Sequence, residues 1–405
     1  MCTRFEIKTI LSLVDCGTIH PGTHGLLRFT LSLSDELICG SDLDLGYLHR
    51  GTEKLMESKH LYQSIGYASR LDYVGGSGWD HLLCNTLEDL VGCLLPVRAL
   101  SLRLVLVELH RIMNHILAVG CAVGDLGDVG DILRLLDVRE SLLTLASEWT
   151  GSRLHHHMIV PGGLALDPDC SPTNSWDGLV KWLFEVGLHI TEMSEWKETM
   201  MARGAVGMRL LNAMPVRTVY GDNRLAANDL LSGVMLRAAG VPYDVRIQLG
   251  YGYWKEIGDM TMYYAMGGTA YDRLLLRCDE ITFSFHAMNS VGVTRLDGAH
   301  GEAQGFSFDG LLMVDAEDMS STITSYCNME GPYEVRGVVV CVNELYKGEG
   351  IIFMQQGNKG RYHLMGPSIR HLEYFDQVVR YSSLSMSDLM SWLGSVDVVV
   401  GEMDK

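Results

Sequence analysis

The stretch His20-Pro21-Gly22-Thr23-His24-Gly25-Leu26-Leu27-Arg28 sets two imidazoles four residues apart where a helix is barred. Pro21, Gly22 and Gly25 break helical geometry. Directly beyond, Leu27, Phe29, Leu31 and Leu33 alternate with Arg28, Thr30, Ser32 and Ser34, the period of a half-buried strand. The histidines therefore stand on a tight loop at the start of a β-hairpin, with its turn predicted at Ser34-Asp35. A loop held in this way can aim an imidazole into a cavity. The plainer reading is that one histidine caps the turn and the other is a satisfied core residue.

Working outward, residues 1–50 read as a β-rich region carrying that loop, 51–330 as an α-helical core, and 331–405 as a β-hairpin and tail. Thr52 suits a helix N-cap, followed by Leu55, Met56, Leu61 and Ile65 at helical spacing. Pro96 opens a long helix to about Gly120 that is apolar nearly all round, as the centre of a bundle should be. Further helices are predicted at Asp131–Glu148, closed by Gly151, at about 172–201, 226–238 and 270–288. Val335–Val342 and Ile351–Gln355 read as a β-hairpin. The expected fold class is α+β, a central α-helical bundle flanked by N-terminal and C-terminal β-rich regions.

Composition narrows the partners. The chain has 405 residues and a formal net charge of -18, which argues against nucleic acid or an anionic membrane face. Hydrophobic residues make up 47 % of it, with 22 Met. No transmembrane segment is predicted, because no charge-free run reaches 18 residues. So apolar a chain is expected to bury much of its surface against other subunits. The ten cysteines form no C-x-x-C pair, so neither zinc nor an iron–sulfur cluster is expected on this chain alone.

Four further segments carry polar residues that packing alone would not select. They are Gly46-Tyr47-Leu48-His49-Arg50-Gly51-Thr52-Glu53-Lys54, Arg70-Leu71-Asp72-Tyr73, Gly124-Asp125-Leu126-Gly127-Asp128, and Gly151 to His157 leading to Pro161-Gly162-Gly163. Each has a plain explanation in capping, turns or surface ion pairs. Glu108, Arg111 and His115 share a face of the long helix and are read as a satisfied buried stripe.

In order and spacing, these segments resemble the 49-kDa subunit family of respiratory complex I, the proton-pumping NADH:quinone oxidoreductase. Ser232-Gly233-Val234-Met235-Leu236-Arg237, Tyr271-Asp272-Arg273 and the terminal Gly401-Glu402-Met403-Asp404-Lys405 extend the match over nearly the whole chain. The resemblance implies a fold like the large subunit of [NiFe]-hydrogenases. There, two C-x-x-C pairs hold nickel and iron. Here Arg50–Lys54 and the terminus lack Cys, so no metal is expected and the cavity is free for a quinone headgroup.

The resemblance also implies roles. Tyr73 and His24 would donate protons to the two carbonyl oxygens of ubiquinone. A phenol of pKa ~10 donates well to a reduced, anionic quinone. An imidazole of pKa ~6.5 donates at physiological pH if a carboxylate holds it protonated, and Asp125 matches that carboxylate. Arg50, Arg70 and His155 would lie beside a [4Fe–4S] cluster held by a neighbouring hydrogenase-small-subunit-like chain. NAD and flavin would be bound elsewhere in the complex. Other implied partners are the remaining complex I subunits, above all the membrane-arm subunit at the quinone channel. The implied location is peripheral, on the matrix side of the mitochondrial inner membrane or the cytoplasmic side of a bacterial membrane. Two alternatives remain: a scaffold without quinone chemistry, and a plastoquinone-type relative.

The chain departs from the family pattern at several points. Ile19 stands for a Gln before the first His, and Val160 for an Arg before Pro-Gly-Gly. Ala238-Ala239 replaces Gly-Ser. A glycine-rich run and Trp79-Asp80 follow Tyr73, where bulky Met and an Asn-Glu pair are usual.

Overall fold

A computed structural model describes residues 11–20, 22–59, 61–91, 93, 95–125, 127–165, 184–191, 197, 231–257, 261–298, 338–355, 361–381 and 384–405. The predicted helix at about 172–201 therefore lies largely outside the described residues. So do the first residues of the one at 226–238 and the start of the hairpin at Val335.

The architecture is α+β, with long helices and several small sheets. Strands β1 (Leu11–Asp15), β3 (Arg28–Ser34) and β4 (Leu37–Asp44) form an antiparallel sheet in the order β1-β3-β4. The alternation of Leu27, Phe29 and Leu31 buries that face fully. The reversal falls at Asp35-Glu36, with Asp35 at φ 56, one residue later than predicted. Short strands β5 (Ile159–Val160) and β6 (Gly163–Leu164) pair antiparallel, and a second three-stranded sheet joins β7 (Val338–Glu344), β8 (Glu349–Gln355) and β9 (Arg361–Met365). The sequence shows the first two of these strands and misses the third.

Helix α1 (Thr52–Glu57) begins with Gly51, φ 62, as its N-cap and Thr52 as its first residue, so Thr52 is not the cap. After α2 (Leu61–Ala68) and α3 (Gly76–Val91) come the two longest described helices of the first half, α4 (Val97–Asp125) and α5 (Val129–Thr150). Gly151, φ 74, closes α5 as its sequence predicts. By length and composition α4 could cross a membrane, but 89 % of its most apolar window is buried inside the protein. Each Leu or Ile it buries contributes about 1.5–3 kcal/mol. The short helices α6 (Gly233–Ala238), α7 (Val245–Gln248) and α8 (Trp254–Ile257) precede α9 (Ala270–Gly298), which packs along α4. Helices α10 (Pro367–Tyr381) and α11 (Met386–Val396) complete the fold.

The expected polar stripe on α4 is buried and paired, except that His115 Nδ1 has no hydrogen-bond partner among the described residues. Arg111 Nε meets Glu108 at 3.1 Å and His115 Nε2 meets Glu280 at 2.9 Å. Arg246 joins Glu108 at 3.1 Å and Asp244 at 2.7 Å, while Arg237 joins Glu344 at 2.9 Å and Glu280. Charges this deep persist only when paired.

Among the described residues a small hydrophobic cluster at Val234, Ala238 and Leu276 and two large ones make the core. One gathers around α3, α4, α5 and α9 and includes Leu71 and Tyr346. The other joins β3 to α10 and α11 through Phe29, Phe375, Trp392, Val396 and Val398. The candidate site lies on their seam. Asp72 and Lys347 adjoin members of the first cluster, and Asp397 stands between Val396 and Val398 of the second.

Candidate functional site

Gly22 and Gly25 allow close approaches that a side chain would block. A Cβ at Gly22 would stand 2.9 Å from the Gly394 nitrogen in α11. One at Gly25, φ 115, would stand 2.8 Å from Val400 Cβ. Thr23–His24 forms the short strand β2, paired in parallel with β10 (Val398–Val399). This pairing brings His24 to the residue that ends α11, Asp397, which occupies the left-handed region at φ 63.

Asp397 is the centre of the site. Its Oδ1 lies 3.1 Å from His24 Nε2, and its Oδ2 accepts from Asn114 Nδ2 at 3.1 Å. Lys347 Nζ stands 3.7 Å from the same Oδ2 and donates to Asn114 Oδ1 at 2.7 Å and to Asp72 Oδ2 at 2.9 Å. Burial alone would raise the Asp397 carboxyl. The Lys347 charge and the His24 hydrogen bond outweigh it and hold the group well below the usual carboxylate range.

Tyr73 follows directly on Asp72. Asp72 Oδ1 accepts from the backbone N–H of Val74 and Gly75 at 3.1 and 3.2 Å, an Asx turn that fixes the chain between α2 and α3. The half-buried phenol is pushed up by burial and by the Asp72 charge, with Lys347 and Arg50 opposing and Asp397 reinforcing. It is therefore a protonated donor at neutral pH, in the electrostatic neighbourhood of the group that holds His24.

The carboxylate bonded to His24 is not Asp125. Among the described residues no hydrogen bond or ion pair joins His24 to Asp125, and the contact belongs to Asp397. Asp125 is the exposed last residue of α4, its Oδ2 3.2 Å from where a Cβ on Gly394 would lie. It still borders the same corner. Burial, then Asp397 and Asp125, push the Cys121 thiol up to about 11.

Arg50 ties three segments together. Its Nη1 donates to the Arg70 carbonyl and its Nη2 to the Gly401 carbonyl, both at 3.0 Å. The terminus folds back beside it, where Asp404 accepts from the N–H of Gly46 and Leu48 at 2.9 Å. Exposed Arg70 reaches the Gly66 carbonyl and comes within 3.4 Å of His157 Nε2. His155 and His157 stand at φ 51 and 48 with stacked rings 6.3 Å apart. Burial and the Arg70 charge lower both. Arg50 thus meets the Arg70 carbonyl, and the Arg70 charge acts on His155. Glu88 clamps the Pro161-Gly162-Gly163 turn, accepting from Gly162 N at 2.8 Å and from Arg103 at 2.6 Å.

Sequence reading misses Asp397, Lys347 and Asn114. Asp397 stands four residues before the Gly401–Lys405 motif and resembles any helix-ending Asp. Lys347 occupies the turn of the β7–β8 hairpin, where a lysine reads as surface. Neither carries a signal without the pairing that joins β2 to β10.

Residues 125–405 match the family model described as respiratory-chain NADH dehydrogenase, 49 Kd subunit. The chain is 31 % identical over 415 residues to an NADH-quinone oxidoreductase subunit of Anaplasma phagocytophilum, covering 97 % of both chains. It is 29 % identical over 415 residues to the NADH-ubiquinone oxidoreductase 49 kDa subunit of Cafeteria roenbergensis, covering 99 % of this chain and 98 % of that one. An NADH-quinone oxidoreductase subunit of Wolbachia pipientis wMel is 28 % identical over 409 residues, with 99 % of this chain and all of that protein covered.

Proposed function

The chain belongs to the 49-kDa subunit family of respiratory-chain NADH dehydrogenase, and we propose that within that enzyme it forms the quinone headgroup site. The observation that carries the reading is that His24 bonds Asp397, and that Tyr73 directly follows Asp72, which Lys347 joins to the same Asp397. Reducing a quinone to a quinol takes two electrons and two protons. This chain's residues supply the protons.

His24 gives its Nδ1 proton to one carbonyl oxygen while Asp397, bonded to Nε2, orients the ring. Tyr73 gives its phenolic proton to the other. Electrons would come from a [4Fe–4S] cluster in the neighbouring subunit, on the side of Arg50, Arg70 and His155. Positive charge at Arg50 and Arg70 favours a reduced cluster. If His155 makes that cluster's potential pH-dependent, His155→Met abolishes the dependence; a potential just as pH-dependent rejects the role. The family resemblance implies the carboxylate role for Asp125, whereas His24 Nε2 lies 3.1 Å from Asp397 Oδ1. We therefore take Asp397 as the partner of His24 and Asp125 as a second acid at the same corner.

The hydrogenase-like architecture and the peripheral position, on the mitochondrial matrix side or the bacterial cytoplasmic side of the membrane, belong to the same proposal. Val129 and Leu133, 63 % and 58 % exposed on α5, fit a chain whose surface is covered by other subunits. The test is a quinone with a photoreactive group on its headgroup, irradiated in the assembled enzyme and mapped by peptide mass spectrometry. Adducts on peptides carrying His24, Tyr73 or Asp397, lost when excess quinone competes, support the site. Competed adducts confined to other subunits refute it.

A further inference from the structure

Glu402 takes no part in the chemistry above, yet it is a carboxyl only 1 % exposed. It ends a 3-10 turn, Val400–Glu402, that follows β10 directly. A carboxyl buried this deeply has to be hydrogen-bonded, and both of its oxygens are. Oε1 accepts from the Ser368 N–H at 2.9 Å and from the Ser368 hydroxyl. Oε2 accepts from the Trp79 indole N–H at 3.4 Å. The packing around the carboxyl is close: a Cβ at Gly366 would stand 2.7 Å from Glu402 Cδ.

Those partners lead back to the two donors. Trp79 stands in the first turn of α3, shortly after Tyr73, and is one of the departures from the family pattern. Ser368 is the second residue of α10, after Pro367. Its hydroxyl makes two bonds, donating to Glu402 and accepting from the Val399 N–H at 3.1 Å. Val399 is the residue of β10 paired with His24, and Asp397, which bonds His24, immediately precedes that strand. The β2–β10 ladder is only Thr23–His24 against Val398–Val399. Pairing this short is marginal without further support. Ser368 supplies a second hold on β10. A hydroxyl has one proton to give, and the Glu402 carboxyl takes it, which leaves the oxygen free to accept from Val399.

We propose that Ser368, oriented by Glu402, is a positioning residue for quinone reduction: it holds the Val399 N–H and so sets β10 where Asp397 meets His24. The proposal rests on the reading of His24 as a donor to quinone. No proton passes through Ser368 and no covalent bond changes. The residue acts on geometry, and through geometry on how firmly Asp397 keeps His24 protonated. Trp79 fixes the other oxygen of Glu402, which gives the departure at that position a structural role. The charged groups around the His24–Asp397 pair are Lys347 and Arg277, with Asp72 and Glu402 acting on Lys347. Burial and the Asp72 charge push the Glu402 carboxyl up to about 7, with Ser368 and Lys347 opposing. Its charge and its hold on Ser368 are therefore tested apart.

The test is Ser368→Ala in the assembled enzyme, with NADH oxidation by a soluble quinone and by ferricyanide followed on both sides of neutral pH. The substitution keeps the Ser368 N–H on Glu402 and removes only the hydroxyl. The expected result is a quinone kcat lowered about tenfold. The alkaline fall in quinone turnover should also begin about one pH unit lower, because an imidazolium held less firmly by Asp397 gives up its proton sooner. Ferricyanide turnover and the amount of assembled enzyme should stay the same. Glu402→Gln, whose amide oxygen still accepts from Ser368, should leave the alkaline fall where the wild type has it. An unchanged kcat and pH profile in Ser368→Ala, alongside a His24→Ala enzyme that has lost quinone turnover, overturns the positioning role and leaves the quinone site standing. A kcat that falls without a shift in the profile, or together with ferricyanide turnover or assembly, makes the hydroxyl merely structural and also overturns it. The same shift in Glu402→Gln as in Ser368→Ala puts the effect on charge and overturns it as well. Normal quinone turnover in His24→Ala removes the reading beneath it.

Discussion

Asp397 Oδ1 and His24 Nε2 lie 373 residues apart along the chain and 3.1 Å apart in space. The contact exists because β2 and β10 pair in parallel and because α11 ends in a left-handed Asp. Asp397→Asn keeps the size of the group and removes its charge. Quinone turnover should fall about a hundredfold, the lower range for a positioned acid–base group. Ferricyanide turnover should be preserved. Asp125→Asn should cost less, because no hydrogen bond or ion pair joins Asp125 to His24 among the described residues. The reverse order, measured by NADH oxidation with each acceptor, would give the carboxylate role back to Asp125.

Gly75 is predicted to accept no side chain. Alanine there would put its Cβ 2.0 Å from a rigid aromatic ring beside Lys347 and Asp72. Overpacking of this kind costs about 1–3 kcal/mol and here would also displace the charged cluster. Gly75→Ala should therefore lower both the amount of assembled enzyme and its quinone turnover. Combining it with Tyr346→Ala, which vacates the cradle, should restore assembly. If the single variant assembles and works normally, the cradle is softer than its geometry indicates.

Buried neutral histidines set the acid limit. Burial pulls His371 down to about 3, and its Nε2 accepts from the Ser232 N–H at 3.4 Å. Burial also pulls His81 to about 3 and His115 to about 4. Each takes up a proton in the unfolded chain near pH 6.5 but not in the folded one. Their stability is therefore complete above about pH 6.5 and is lost as pH falls toward the folded values. The loss is about 1.4 kcal/mol per pH unit for each such group. The melting temperature of the enzyme should fall between about pH 6.5 and 4, and His371→Gln should make the fall less steep. An unchanged slope in that variant would mean that His371 is protonated in the fold.

The fold was more legible than the site, for a physical reason. Local periodicity marks α4, α5 and the β7–β8 hairpin, because each buries a face its own residues define. The break between α1 and α2 at Ser58-Lys59 was not visible, since Leu55, Met56, Leu61 and Ile65 keep helical spacing across it. For the site, His24, Tyr73, Arg50, Arg70 and His155 stood out as polar residues in turns. Asp397, the partner of His24, is one Asp at a helix end, and Lys347 one lysine in a hairpin turn. Nothing local marks either as buried; only long-range pairing of strands and helices makes them so.

The most direct test of the central claim sets NADH oxidation with a soluble quinone against NADH oxidation with ferricyanide, in wild-type and Tyr73→Phe enzyme. The account predicts that the variant assembles and reduces ferricyanide at the wild-type rate while losing quinone turnover, because a phenyl ring has no proton to give. Wild-type quinone turnover in Tyr73→Phe would contradict it and leave the chain as a scaffold for its neighbours.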